Sequence, residues 1–278
     1  MARQSGGRTA GALLAARIVE QVGVLRALDP AVRADEADAV HRMRVASRRL
    51  RGAFRAYGPP LRGVVGELRW FGSVLGRARD SEVLGERLLA QARALPPECG
   101  RDELVARLTA WSHELSEQAR PEVLAALDGP RYADLLATLG RLAAQPPPGD
   151  GLPALADLAR REQRRVSARL REAAADGGAD GDRALHEARK AAKWARYLGE
   201  TAGPPAEKFT ARMKALQELL GEHQDSVVAR AALLGAAQQQ AGFGYGVLYG
   251  GQLAVAERVR ERLPEVWRRA RRPPGGKW

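Results

Sequence analysis

The chain has 278 residues, enough for one large domain or two ordinary ones with a real core. Its 45 Lys and Arg against 33 Asp and Glu leave a formal net charge of +12, which favours polyanionic partners such as nucleic acid, polyphosphate or an anionic membrane surface. A single cysteine, Cys99, excludes an intramolecular disulfide framework and a Cys-based zinc site, and it suits a reducing cytosol. Aromatic residues make up 5% of the chain, which argues against a β-sandwich and against single-strand binding by base stacking. The N-terminus lacks the apolar core of a signal peptide, and no run of about 18 apolar residues suggests a membrane span.

Ala, Leu, Arg and Glu dominate, strand-like alternation is scarce, and Gly/Pro clusters supply the breaks, so the chain is expected to be all-α. In chain order, helices are predicted over about 10–28, 36–57, 61–76, 80–94, 101–128 (broken at Pro121), 131–144, 153–175, 183–200, 206–221, 225–241, 247–263 and 265–271. Residues 1–8 and 273–278 are expected to be disordered tails. QPPPGDG, residues 145–151, is the strongest linker candidate, and it separates a first helical half (9–144) from a second (152–272). DGGADG, residues 176–181, is a further expected break.

The two halves share a register. AVHRMRVASRRLR (39–51) aligns with ALHEARKAAKWAR (184–196) at an offset of 145, which sets His41 on His186, Arg44 on Arg189, Arg48 on Lys193 and Arg51 on Arg196. The same offset sets LGRARDSEV (75–83) on LGEHQDSVV (220–228), with Asp80 on Asp225, and sets Arg69 on Lys214. Two separated blocks in one gap-free register indicate a tandem duplication.

On a helix at about 100° per residue, His41, Arg44, Arg48, Arg51 and Arg55 fall within a sector of roughly 80°. Met43, Ala46, Leu50, Ala53, Phe54 and Tyr57 collect on the opposite, core-facing side. No Asp or Glu lies between Val40 and Gly66, although like charges at i, i+4 spacing repel and surface helices ordinarily intersperse acids. The second copy repeats the plan with His186, Arg189, Lys193 and Arg196, beside Lys190, while Glu187 and Glu200 dilute it. Guanidinium forks span two phosphate oxygens, Lys adds a mobile point charge, and His donates at least one N–H. Of the basic residues 40 are Arg, a ratio that the coding bias of a GC-rich genome also explains, so position matters more than kind.

VHRMRVASRRLR and LHEARKAAKWARYL, followed by WFGSVLGRARDSEVL and LQELLGEHQDSVV, resemble the conserved-histidine α-helical domain (CHAD) family. The resemblance covers both signature blocks in both halves. It implies two pseudo-symmetric halves of four-helix-bundle type and non-catalytic binding of inorganic polyphosphate at His41, Arg44, Arg48, Arg51, His186, Arg189, Lys193 and Arg196. Arg55, Arg69, Lys190 and Lys214 complete the candidate set. A triphosphate-tunnel hydrolase domain, which often precedes such a module, is not expected, since no Glu-x-Glu-x-Lys occurs. Arg55 has no basic counterpart in the second copy, which is the main departure from equal sites.

Other readings compete. Paired His41 and His186 suggest a metal, but surrounding arginines repel a cation and no carboxylate or thiolate sits at ligand spacing, so neither metal nor cofactor is expected. A structural, hydrogen-bonded histidine is the simpler rival. His113 and His223 are expected at the surface or boundary, and Trp70, Trp111, Trp194 and Trp267 in core or boundary positions. Asp80 and Asp225 read as helix N-caps, with pairing to a stripe arginine as the runner-up. GFGYG (242–246) lacks the preceding strand of a dinucleotide loop and reads as a helix–helix connection. The basic C-terminal run from Arg258 carries acids in its first half, which favours a solvated face over a membrane contact. The function expected is cytoplasmic polyphosphate binding, including at polyphosphate granules, with phosphate or sulfate ions as lesser ligands. Nonspecific binding of duplex DNA is the alternative, and a metal-dependent or His-phosphorylated enzyme a third class.

Overall fold

The computed structural model describes residues 9–176, 178–239 and 242–275. The regular elements are α1 (Ala10–Arg33), α2 (Ala39–Ala56), α3 (Arg62–Arg93), α4 (Arg101–Asp128), α5 (Pro130–Ala144), α6 (Leu155–Ala175), α7 (Gly178–Ala202), α8 (Glu207–Gln239) and α9 (Phe243–Ala270). Single 3₁₀ turns at Pro59–Leu61, Pro97–Cys99 and Pro204–Ala206 join some of them. The chain is all-α, with no strand among the described residues.

Local chemistry explains several ends. The Thr9 hydroxyl accepts the Ala12 N–H at 3.2 Å and caps α1. Gly58 and Gly203 take φ of +79° and +76°, each just before a Pro-Pro pair that starts a 3₁₀ turn. Only glycine enters that region without a Cβ penalty. These two Gly-Pro-Pro turns stand at the same offset of 145 as the stripes.

Two of the largest differences from sequence expectation are at Gly76 and Gly221. The predicted pairs 61–76 plus 80–94 and 206–221 plus 225–241 are single helices, α3 and α8. Asp80 and Asp225 therefore lie mid-helix and cap nothing. An interior glycine costs only about 1 kcal/mol relative to Ala, and a packed helix overrides it. Likewise α4 runs through Pro121, and α9 runs through Pro264 to join the predicted 247–263 and 265–271. GFGYG is the N-cap and first turn of α9 rather than a connection alone. α7 begins at Gly178, inside the break expected over 176–181.

Three apolar cores hold these helices. The first joins α1, α2, the N-terminal part of α3 and α5 around Ile18, Leu25, Met43, Leu50, Phe54, Phe71 and Leu139. The second joins α6, α7 and α8 around Val166, Ala188, Ala192, Phe209, Met213 and Leu216. The third takes Leu88 and Ala92 from α3, Leu104 and Leu108 from α4, Ala229 and Leu233 from α8, and Tyr245 and Leu248 from α9. It is a four-helix contact between the α3–α4 and α8–α9 hairpins. Gln163 Nε2 donates to the Ala270 and Arg272 carbonyls at 2.8 and 3.0 Å, which ties the end of α9 to α6.

His223 is 1% exposed rather than a surface or boundary residue. Its Nε2 lies 3.2 Å from Asp182 Oδ1, and the same carboxylate takes Arg230 Nη2 at 3.0 Å and Arg260 Nη2 at 2.7 Å. Burial pushes the His223 pKa down; Asp182 opposes the shift, and Arg260 and Arg230 add to it. Sequence alone hid this knot because α7, α8 and α9 each contribute to it. Replacing Asp182 with Asn keeps the volume but strips Arg230 of its carboxylate and leaves Arg260 with Glu257 alone. The expected loss of stability is on the order of 3 kcal/mol, read from urea unfolding at pH 7.

Candidate anion-binding site

The α2 stripe is built by packing on its opposite face. Met43, Ala46, Leu50, Ala53 and Phe54 are buried in the first core, which forces Arg44, Arg48, Arg51 and Arg55 to the other side. α7 does the same with Leu185, Ala188, Ala192 and Ala195 buried, leaving His186, Arg189, Lys193 and Arg196 on its free sector. The helices approach closely at Gly52. A Cβ there would stand 3.2 Å from Trp194 Cζ3 and 3.5 Å from Tyr197 Cδ2, so Gly52 is what lets the two stripes meet.

The stripes form one cation cluster. Burial lowers the Arg48 pKa, and Arg44 from its own helix with Arg196 and Arg189 from α7 push the same way, against Tyr197. Arg51 is lowered by burial and by Arg69, Arg48 and Arg55. Lys193 carries the largest consequence: burial, then Arg48, Arg189, Arg51 and Arg44, push its ammonium down to about 7. The Nε atoms of Arg48, Arg51 and Arg189 are buried without a hydrogen-bond partner. Buried polar groups are nearly always satisfied in folded proteins, so this set of inward donors invites an acceptor. Among the described residues, no carboxylate pairs with Arg48, Arg51, Arg69, Arg189 or Lys193.

Acids close the ends of the cluster. Glu162 of α6 accepts from Arg55 at 3.0 Å and from Arg165 at 2.8 Å. Glu200 lies 3.1 Å from Arg196 and 3.4 Å from Arg49. Lys190 pairs with Glu187 at 2.7 Å and Lys214 with Glu218 at 3.6 Å, both on exposed faces. The structure thus gathers Arg48, Arg51, Arg69, Arg189 and Lys193 into a centre, or beside it, where none has a paired acid among the described residues. It leaves Arg44, Arg55, Lys190, Arg196 and Lys214 with acid partners. Trp194 spans the transition, with Arg51 and Arg55 guanidinium carbons 5.2 and 4.8 Å from its ring centre. Glu162, Glu200, Arg49 and Trp194 were not among the residues that the sequence pattern singled out for the site.

The Leu-Gly-x-x-x-Asp blocks support the arginines. Arg44 Nη1 donates to Asp80 Oδ1 at 2.5 Å and to the Gly76 carbonyl at 3.4 Å, so pairing with a stripe arginine replaces the capping role. In the second copy Arg189 packs over Gly221, where a Cβ would lie 3.5 Å from its Nε. Asp225 there is 3.7 Å from Arg87 instead. Burial raises the Asp225 carboxyl, Arg189 and Arg87 oppose this, and Asp80 and Glu222 add to it. The two motif aspartates therefore stand near one another where α3 meets α8.

The histidines differ. His41 is exposed at the start of α2. His186 is half-buried, and its Nδ1 donates to Gln224 Oε1 at 2.7 Å. Burial pushes its pKa down against the pull of Gln224. With Nδ1 holding the proton, Nε2 of a neutral ring can only accept, so a phosphate oxygen at Nε2 requires the imidazolium. Among the described residues no group of three or more His, Cys, Asp or Glu gathers that would hold a metal, and no helix is long and apolar enough to cross a membrane.

The helical scaffold thus gathers guanidinium and ammonium groups between two helices, which makes this cluster the candidate site for an anion. The CHAD domain model matches residues 16–234, and the chain belongs to that family. It is 37% identical over 268 residues to uncharacterized proteins from two strains of Mycobacterium tuberculosis, CDC 1551 / Oshkosh and ATCC 25618 / H37Rv. Those alignments cover 91% of this chain and 52% of the relatives, so the chain spans about half their length. Its fold is similar to that of PptA from Streptomyces chartreusis, with a TM-score of 0.77, 19% identity, and coverage of 94% of this chain and 100% of that one. It is also similar to the CHAD domain from the plant Ricinus communis, with a TM-score of 0.60, 25% identity, and coverage of 97% and 89%.

Proposed function

We propose that the chain binds inorganic polyphosphate without chemical turnover, along the α2 and α7 stripes, and so brings itself or an attached partner to polyphosphate granules in the cytoplasm. One observation carries this reading: Arg48, Arg51, Arg189 and Lys193 crowd between two helices with no carboxylate of the described residues in ion-pair contact with them. Such a cluster is unfavourable alone and becomes favourable around a chain of negative charge. The offset of 145 between the stripes supports two related binding surfaces on one ligand strand. Half-burial favours a thin, flexible polyanion over a DNA duplex, whose phosphates lie on a broad rigid cylinder.

The test is a titration with long-chain polyphosphate at two salt concentrations, beside duplex DNA and orthophosphate. The expected result is tight, salt-sensitive binding to polyphosphate, at least tenfold stronger than to DNA at equal phosphate concentration. Polyphosphate should also displace DNA far better than the reverse. Equal or better binding to DNA would transfer the assignment to a nonspecific nucleic-acid protein.

A further inference from the structure

We propose that Lys193 is a self-acylating lysine, modified at Nζ by small acyl phosphates such as acetyl phosphate whose phosphate docks on the surrounding arginines. The proposal rests on the reading of this cluster as a phosphate site, and it adds a second class of ligand and a covalent outcome. Three features converge on this one side chain. Arg44, Arg48 and Arg51 face it from α2 and Arg189 from its own helix, and no acid among the described residues pairs with it. It is partly rather than fully buried, so a two-carbon acyl group can reach it. An ammonium held down to about 7 is half free amine at neutral pH, whereas an ordinary lysine is about 0.1% or less.

The chemistry is balanced without a further reagent. The Nζ lone pair attacks the carbonyl carbon of acetyl phosphate and a C–N bond forms. The bond from that carbon to the phosphate oxygen breaks, orthophosphate departs with the electron pair, and the amine proton leaves with it or to water. The arginines hold the phosphate dianion and stabilise the leaving charge. The product is a neutral amide in the middle of the cation cluster, so acylation would weaken polyphosphate binding. A basic anion site would thereby report the supply of activated acyl groups.

The sequence makes the experiment readable, because it holds only five lysines: 190, 193, 208, 214 and 277. Lys190, Lys208 and Lys214 are exposed and serve as internal references. The intact protein is incubated at pH 7.5 with acetyl phosphate, or with acetic anhydride as an uncharged donor, and site occupancy is followed by peptide mass spectrometry. The expected result is that Lys193 acetylates at least tenfold faster than each exposed reference with acetyl phosphate. That lead should shrink severalfold with the anhydride and in the Arg48→Ala/Arg189→Ala variant, and polyphosphate should protect the site. A Lys193 rate no greater than that of the references would overturn the proposal, as would an equal lead with both donors. Polyphosphate titration of the same unmodified sample separates the two readings. Binding without Lys193 acylation sinks this proposal alone, whereas acylation without polyphosphate binding sinks the proposed function and leaves this one standing.

Discussion

Replacing Arg44, Arg48, Arg189 and Lys193 together with Ala is expected to lower polyphosphate affinity by at least a hundredfold while helicity is retained. Each contact between a guanidinium or ammonium and a phosphate is a charge-assisted hydrogen bond, and losing four of them leaves Arg51, Arg69 and the flanking cations. Those flanking groups are already committed in part: Arg55 to Glu162 and Arg196 to Glu200. The salt dependence should also flatten, since fewer condensed counterions are released per bound chain. The same variant has a second, opposite expectation for the free protein. Removing half-buried like charges relieves repulsion, so its midpoint of thermal unfolding should hold or rise in the absence of ligand. A destabilised variant with unchanged affinity would show that the cluster serves the fold and not a ligand. Circular dichroism, thermal unfolding and a retention assay on immobilised polyphosphate decide between the two.

How much of this was readable from residues alone follows from the range of each interaction. The α2 stripe was legible because its members recur at i+3 and i+4 and because acids are missing from Val40 to Gly66, both local properties. The α7 stripe followed from the fixed offset of 145. Glu200 was legible as an acid diluting the α7 stripe, since Arg196 lies four residues before it. Its reach to Arg49 was not, and neither was Glu162, whose partner Arg55 comes from a distant segment. Nor was the depth at which Lys193 sits, which depends on α2 closing over α7 at Gly52. The continuity of α3 and α8 was missed for a related reason. A Leu-Gly step followed by Asp carries the composition of a helix end, and only the arginine that packs beside Gly76 or Gly221 shows that the helix continues. His223 illustrates the same limit, because its burial depends on Asp182, Arg230 and Arg260 from three helices.

Raising the pH from 7 to 9 is expected to stabilise the ligand-free protein and, over the same interval, to weaken its hold on polyphosphate. The sign follows from Lys193, whose pKa lies at about 7 in the folded chain against roughly 10.4 in an unfolded one. Between those values the unfolded state binds more protons, so stability increases with pH, by up to about 1.4 kcal/mol per pH unit from this group. Below pH 7 both states are protonated and the folded state carries the full penalty of a buried charge among Arg44, Arg48, Arg51 and Arg189. Polyphosphate reverses the balance by favouring the ammonium, so binding takes up a proton above pH 7. Affinity should then fall by up to tenfold per pH unit until the bound-state pKa is reached. Isothermal titration calorimetry in buffers of different ionisation heat measures that proton uptake directly. Lys193→Arg should bind polyphosphate with little dependence on pH between 7 and 9, because a guanidinium stays charged across that range. His186 adds a separate limb on the acid side, since its lowered pKa places its protonation below the usual histidine range. A wild-type affinity that is flat from pH 7 to 9, with no proton uptake, would place Lys193 outside the binding surface and confine the ligand to the more exposed arginines.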